Sequence, residues 1–198
     1  MPALRLFLSL MLLAGLPATA AAEGDYPAKP VRIVVGFGPG SAADLTARVV
    51  AQRLSKTMGQ QFIVENKPGG GSTVAADQVA RGPKDGYTLF IGTVANVINA
   101  VMQPNLAFDF SKDFAPIVYA TSSPNILVVH PSTGVDDVQQ LIALLKAKPE
   151  QVFYGSSGVG TSPHLSGELF NMMAGTRMVH VPYSGSAQAV TDLLAGRT

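Results

Sequence analysis

The 198-residue sequence contains no cysteine and no tryptophan, and only 14% of its residues are charged. Without cysteine there is no disulfide scaffold, no Cys-ligated zinc, no iron–sulfur cluster and no thiol nucleophile. Basic and acidic residues number 14 and 13, so no electrostatic footprint for nucleic acid exists. The three histidines, His130, His164 and His180, lack the spacing of paired metal ligands, and no metal site is expected. A G-x-S-x-G nucleophile elbow is absent. No apolar run approaches the roughly 20 residues a membrane span needs. What is plentiful is apolar side chain (47%) and glycine (20 residues), a composition that excludes a disordered chain. The length accommodates one domain, or one and a fraction.

Residues 1–22 combine one charge, Arg5, an apolar run over 6–16 and the small-residue stretch Ala18-Thr19-Ala20-Ala21-Ala22. These are the parts of a secretory signal peptide, with cleavage expected after Ala20 or Ala22. Its removal leaves 13 basic against 13 acidic residues, a neutral mature chain. No cysteine follows the cleavage region, so no lipid anchor is expected. An exported, soluble protein is expected.

The remainder alternates short β-rich runs, glycine turns and helical patterns, which predicts an α/β fold with a largely parallel sheet. Residues 31–35 are nearly all apolar and β-branched, the mark of a strand buried on both faces. A turn over 36–41 follows, then a helix from about Asp44 to Gly59 with Leu45, Val49, Val50, Leu54 and Met58 at helical spacing. Strands are expected at 62–64 and 88–91, with a glycine turn at 68–72 and a short helix to about Arg81 between them. The rhythm changes after Asn96. A loop at 109–114 precedes two β-rich runs, 115–121 and 125–130, read as a crossing between lobes. A second series follows: helix 136–148 with Val138, Leu141, Ile142 and Leu145 inward, strand 152–154, a Gly/Ser turn 155–162, helix 164–174, strand 178–181 and helix 187–195. The first lobe is assigned to 23–123 and the second, partial, to 124–198.

Two glycine turns invite comparison with phosphate-binding loops. The first, over 36–41, is G-x-G-x-G and has Ser41 where a dinucleotide fold needs its third glycine, although Glu65 ends the next strand as a ribose-binding acid would. The second, over 155–162, is G-x-x-x-x-G with Thr161 in the lysine position. It can hold an anion through backbone N–H groups and a helix N-terminus, but lacks the cation that phosphate chemistry needs. His130 and His180 read as structural residues at strand ends, and His164 opens a helix where it can either cap or face a cleft. Asp136-Asp137 complements a helix dipole. Asp44 is either a first-turn cap or a cleft-facing carboxylate, and both roles can coexist. Glycine turns, hydroxyls and helix N-termini without nucleophile, metal or cofactor lysine bind small anions and do not transform them. Neither enzyme activity nor a cofactor is expected.

The chain as a whole resembles the Bug (TctC-like) substrate-binding proteins of tripartite tricarboxylate transporters. The resemblance is carried by Tyr26-Pro27-x-Lys29-Pro30 with the strand 31–35, Pro39-Gly40 through Asp44 and Ala47-Arg48, and Val64-Glu65-Asn66-Lys67-Pro68 with Gly69-Gly70-Gly71. It continues through Pro83-x-Asp85-Gly86-Tyr87, Lys112-Asp113-Phe114-Ala115-Pro116, the segment from Tyr154 to Leu165, and His180-Val181-Pro182-Tyr183-x-Gly185. It implies a two-lobed Venus flytrap that grips a ligand carboxylate with backbone amides and delivers it to integral membrane transporter subunits. Carried over, the ligand-binding residues are Phe37, Gly38, Pro39, Gly40, Ser41 and Asp44 on one side. Ser156, Ser157, Gly158, Gly160 and Thr161 face them, and Thr93 and Tyr183 line the same cleft. The ligand class implied is a di- or tricarboxylate, an amino acid or an aromatic acid, and the receptor is expected to be a monomer. Two positions depart from the family pattern. Ser41 replaces a glycine and Ala43 a threonine, which shifts hydroxyls near the ligand. Family members also continue beyond the point matching Thr198, so the second lobe is expected to be incomplete and the chain alone to fold poorly or bind weakly. The readings that compete are an exported hydrolase acting through Ser157 and a truncated, non-functional copy.

Overall fold

The computed structural model describes residues 26–198; the signal-peptide expectation lies outside them. Strand β1 (Val31–Val35) is the centre of a three-stranded parallel sheet in the order β2-β1-β3, with β2 at Phe62–Asn66 and β3 at Thr88–Ile91. Neighbours on both edges and apolar layers on both faces explain its unbroken run of β-branched residues. Val31, Ile33, Val34 and Val35 are all buried.

Helix α1 (Ala42–Met58) returns the chain from β1 to β2. Ser41 caps it, its hydroxyl accepting the Asp44 N–H at 3.3 Å, and Gly59 closes it in the left-handed region at φ 70°. The face applied to the sheet is made of small residues: Ala43, Ala47 and Ala51, with Val50 and Leu54 at helical spacing. Leu45 and Val49, part of the apolar spacing in the sequence, point outward, 57% and 68% exposed. Alanines let the helix lie close to the strands, and that close approach fixes its rotation.

A short turn of helix at Gly70–Ser72 leads into α2 (Thr73–Ala80). After β3 comes α3 (Val94–Met102), which the sequence reading leaves unassigned. Thr93 and Asn96 form a reciprocal capping box at its start. Val94, Val97, Ile98, Val101 and Met102 stand at helical spacing, yet Asn96 and Asn99 occupy the buried face and the apolar stripe faces outward.

The runs 115–121 and 125–130 form no strand. Their backbone meets no neighbouring strand among the described residues, and Ile117, Val118 and Tyr119 are 77–81% exposed. High β-propensity cannot make a strand where no edge is offered. His130 therefore ends no strand; it caps a short helical turn at Pro131–Thr133, its ring accepting the Ser132 N–H.

Helix α4 (Val138–Ala147) is capped by Asp137, which accepts the Gln140 N–H at 2.8 Å. It buries Leu141 and Leu145, while Val138 is exposed. The second sheet is a parallel pair, β4 (Phe153–Ser156) and β5 (Val179–Pro182), joined through α5 (Ser162–Ala174) and followed by α6 (Ser186–Leu194). No residue of α5 or α6 is fully buried.

Candidate functional site: facing loops at the strand ends

Every strand in both sheets is parallel to its neighbour, so the loops after the strands share one edge of each sheet. In open α/β sheets this edge is where ligands bind. The two edges meet. Gly38 N–H, after β1, donates to Ser184 O, after β5, at 2.9 Å. A methyl group on Gly40 would stand 3.3 Å from Ala187, and one on Gly71 would stand 2.5 Å from Val159 O. Gly160, at φ +75°, lies so close to the Asn99 side chain of α3 that any Cβ would overlap it. Glycine is needed there for two reasons, backbone conformation and space.

The first loop is held from behind by Asp44, which is 1% exposed. Its Oδ2 accepts Gly40 N–H and Arg48 Nε, both at 2.9 Å, and its Oδ1 accepts Asn66 Nδ2 at 2.8 Å. Asn66 also donates to Phe37 O at 3.0 Å. Burial pushes the Asp44 carboxyl up, but the hydrogen bonds from Arg48, Gly40 and Asn66 outweigh it and hold it below its ordinary range. Asp44 is thus the scaffold of the loop, with both carboxylate oxygens occupied. The cleft-facing alternative does not fit this saturation. Phe37 packs into the core beneath β1, so only its backbone is left for the cleft, whereas Pro39 and Gly40 are exposed.

The second loop closes on itself around Gly158. Ser156 Oγ accepts Gly158 N–H at 3.1 Å, and Thr161 Oγ1 donates to Gly158 O at 2.6 Å. Thr161 precedes the first turn of α5, so the loop sits at the positive end of that helix dipole. The Thr161 hydroxyl is spent on the loop itself, not held out as a phosphate-clasping lysine would be. Ser157 is half-buried, and its hydroxyl is taken by no other described residue. Ser156 meets His180 Nε2 at 2.6 Å, the contact a serine hydrolase would need, but is 2% exposed with Oγ already ringed by Gly158. A nucleophile so enclosed has no open approach to a carbonyl.

Thr93 stands at the N-terminus of α3, tied through Asn96 to Ser72 Oγ at 3.3 Å. Tyr183 borders the second loop: its N–H donates to Ser156 O at 3.0 Å and its hydroxyl to Asp192 at 2.7 Å. Glu65, the acid a dinucleotide fold would offer to a ribose, is gripped by Arg32 through two hydrogen bonds of 2.8 and 2.7 Å. Sequence reasoning missed Ser72, Asn96, Asn99 and Ser184 at this junction, and read His180 only as a structural residue. Only Thr93 with Asn96 carried a local signal, the capping box.

Residues 46–198 match the family model described as tripartite tricarboxylate transporter family receptor, TctC. The chain belongs to the TctC family. BugT of Bordetella pertussis is 34% identical over 185 residues, which cover 92% of this chain and 56% of BugT. A solved protein of R. palustris with adipate is 40% identical, with a TM-score of 0.83 over 88% of this chain and 58% of its own. MatC from Rhodopseudomonas palustris with bound malate is 29% identical, with a TM-score of 0.82 over 87% of this chain and 59% of its own. The chain spans little more than half the length of the curated relatives it matches. The α/β binding-protein fold and the Bug relationship expected from the quoted motifs are those of this TctC chain.

Proposed function

We propose that this TctC-family chain is the ligand-gripping part of a periplasmic solute receptor. It binds a small carboxylate between lobes 23–123 and 124–198 and presents it to integral membrane transporter subunits. The observation that carries the reading is the meeting of two helix-capped glycine loops, 36–41 and 156–161, across one edge. Oriented N–H groups at helix N-termini replace water around a carboxylate, and each charge-assisted bond contributes about 1.5–3 kcal/mol. Among the described residues the cation bonded to the first loop's scaffold is Arg48, already neutralised by Asp44. Recognition therefore falls to the backbone, with Ser157 and Ser41 as hydroxyls beside it. The adipate and malate bound to two solved relatives support a dicarboxylate. Among the described residues no base is hydrogen-bonded to Ser157, and Ser156, which does meet an imidazole, is enclosed; both support binding without turnover.

In this reading part of the binding energy stabilises the closed arrangement, and the closed form is what the transporter recognises. The test is a thermal-shift screen of the purified chain against mono-, di- and tricarboxylates, followed by calorimetry on any acid that shifts the melt. A dicarboxylate is expected to raise the melting temperature without being consumed. No shift with any acid would leave the non-functional copy as the better account.

A further inference from the structure

Behind the 156–161 loop lies a cluster that carboxylate binding does not itself require. His164, in the first turn of α5, and His180, in β5, pack with ring centroids 4.2 Å apart and planes tilted by 31°. His164 Nδ1 accepts the Gly160 N–H at 3.3 Å, and His180 Nε2 meets Ser156 Oγ at 2.6 Å. One ring therefore holds each end of the loop. From β4, Tyr154 stacks on His180 at 5.0 Å and donates its hydroxyl to Glu168 of α5 at 2.6 Å. On α6 the titratable group is Asp192, which Tyr183 and Arg197 engage.

An imidazole that accepts at Nδ1 carries no proton there. Protonating His164 would turn that acceptor into a donor, aimed at the Gly160 N–H. It would also set a cation against His180, whose own protonation is disfavoured by burial and by charge on His164. Ser156 can answer either state of His180, because its hydroxyl can rotate to Gly158 O at 3.2 Å. Gly160 has no such freedom, since a backbone N–H only donates.

We propose that His164 and His180 are positioning residues for the 156–161 loop, which keeps its anion-receiving shape only while His164 is uncharged. The proposal rests on the carboxylate reading for its ligand, but its geometry can be tested without one. The first measurement is the amide resonance of Gly160 in the ligand-free chain, followed by NMR from about pH 7.5 to about pH 5, across the imidazole range. The second is adipate affinity by calorimetry at both ends of that range for wild type, His164→Asn and His164→Leu. Asparagine places an uncharged acceptor, Oδ1, where Nδ1 stood.

The Gly160 amide resonance is expected to differ between the two ends of that range. Wild type and His164→Asn should bind adipate alike at the upper pH, with wild type about tenfold weaker than His164→Asn at the lower. His164→Leu should bind poorly at both, and if it does not fold the other two chains still decide. Adipate's own titration is common to the variants and cancels in the comparison. A Gly160 amide blind to pH, or matching pH profiles for wild type and His164→Asn, would overturn the proposal. So would tighter wild-type binding at the lower pH, which would make His164 a direct cation for the ligand. If no acid of the screen binds while the Gly160 amide shifts with pH, the carboxylate reading fails and the positioning role stands.

Discussion

Asp44 shows how a single buried carboxylate can shape a loop. It neutralises Arg48, fixes Asn66 and takes the Gly40 N–H, leaving the rest of the first loop's backbone to face the opposite lobe. Asp44→Asn is expected to cost about 1–3 kcal/mol, the value of a charge-assisted bond with a donor left unpaired. Because the folded carboxyl titrates below its unfolded value, its contribution is present above the ordinary carboxylate range and disappears as pH falls through the lower, folded range. Urea midpoints measured downward from neutral pH should therefore fall less steeply in the variant. Equal slopes would deny Asp44 this role. Gly160 makes the opposite point, that absence of a side chain is itself a site property. Gly160→Ala should weaken or abolish adipate binding through contact with Asn99, and Asn99→Ala should restore part of it. No recovery in that double variant would assign the defect to left-handed strain alone. The loops themselves were legible in sequence because glycine, cap and helix start are neighbours along the chain. Asn99 and Ser184 were not, because what matters about them is a residue many positions away.

Helix α1 was legible in extent but not in orientation. Leu45 and Val49 mark an apolar stripe, yet packing chose the alanine stripe, because only small residues allow the helix to seat on β1 and β2. Ala47, fully buried, should tolerate no growth: Ala47→Leu is expected to cost about 1–3 kcal/mol through overpacking. Leu45→Gln should change stability by no more than about 0.5 kcal/mol, as surface substitutions do. Chemical denaturation of both variants checks the assignment, and a reversed ranking would restore the stripe that hydropathy suggests. Helix α3 escaped notice for a related reason. Val94, Val97, Ile98, Val101 and Met102 keep helical spacing, but its inward asparagines spend their amides on Ser72, Gly71 and Ala95, so the apolar stripe faces outward, as on α1.

At the scale of the whole molecule, the two sheets are unequally supported. The first sheet and the helices and loops packed on it carry most of the buried residues, whereas β4 and β5 form a pair of the kind that is marginal without further cover. Leu169, Met172 and Met173 on α5, and Val190 and Leu194 on α6, are exposed alongside the extended runs at 115–129. Apolar side chains and unpaired backbone in one region make a surface that another polypeptide can complete. Hydrogen exchange should accordingly show strong protection in β1 and little at 117–119 or 126–128. The portion of BugT that this chain does not span, supplied as a separate polypeptide, is expected to slow exchange at those residues and raise the melting temperature by several degrees. The sequence did suggest strands there, and their β-propensity is genuine, but pairing is a property of two segments and not of one. If the 115–129 amides are already protected in the chain alone, they have found a partner within it or in a second copy. Sedimentation would separate those two cases, and the unsupported second sheet would then have to be reconsidered.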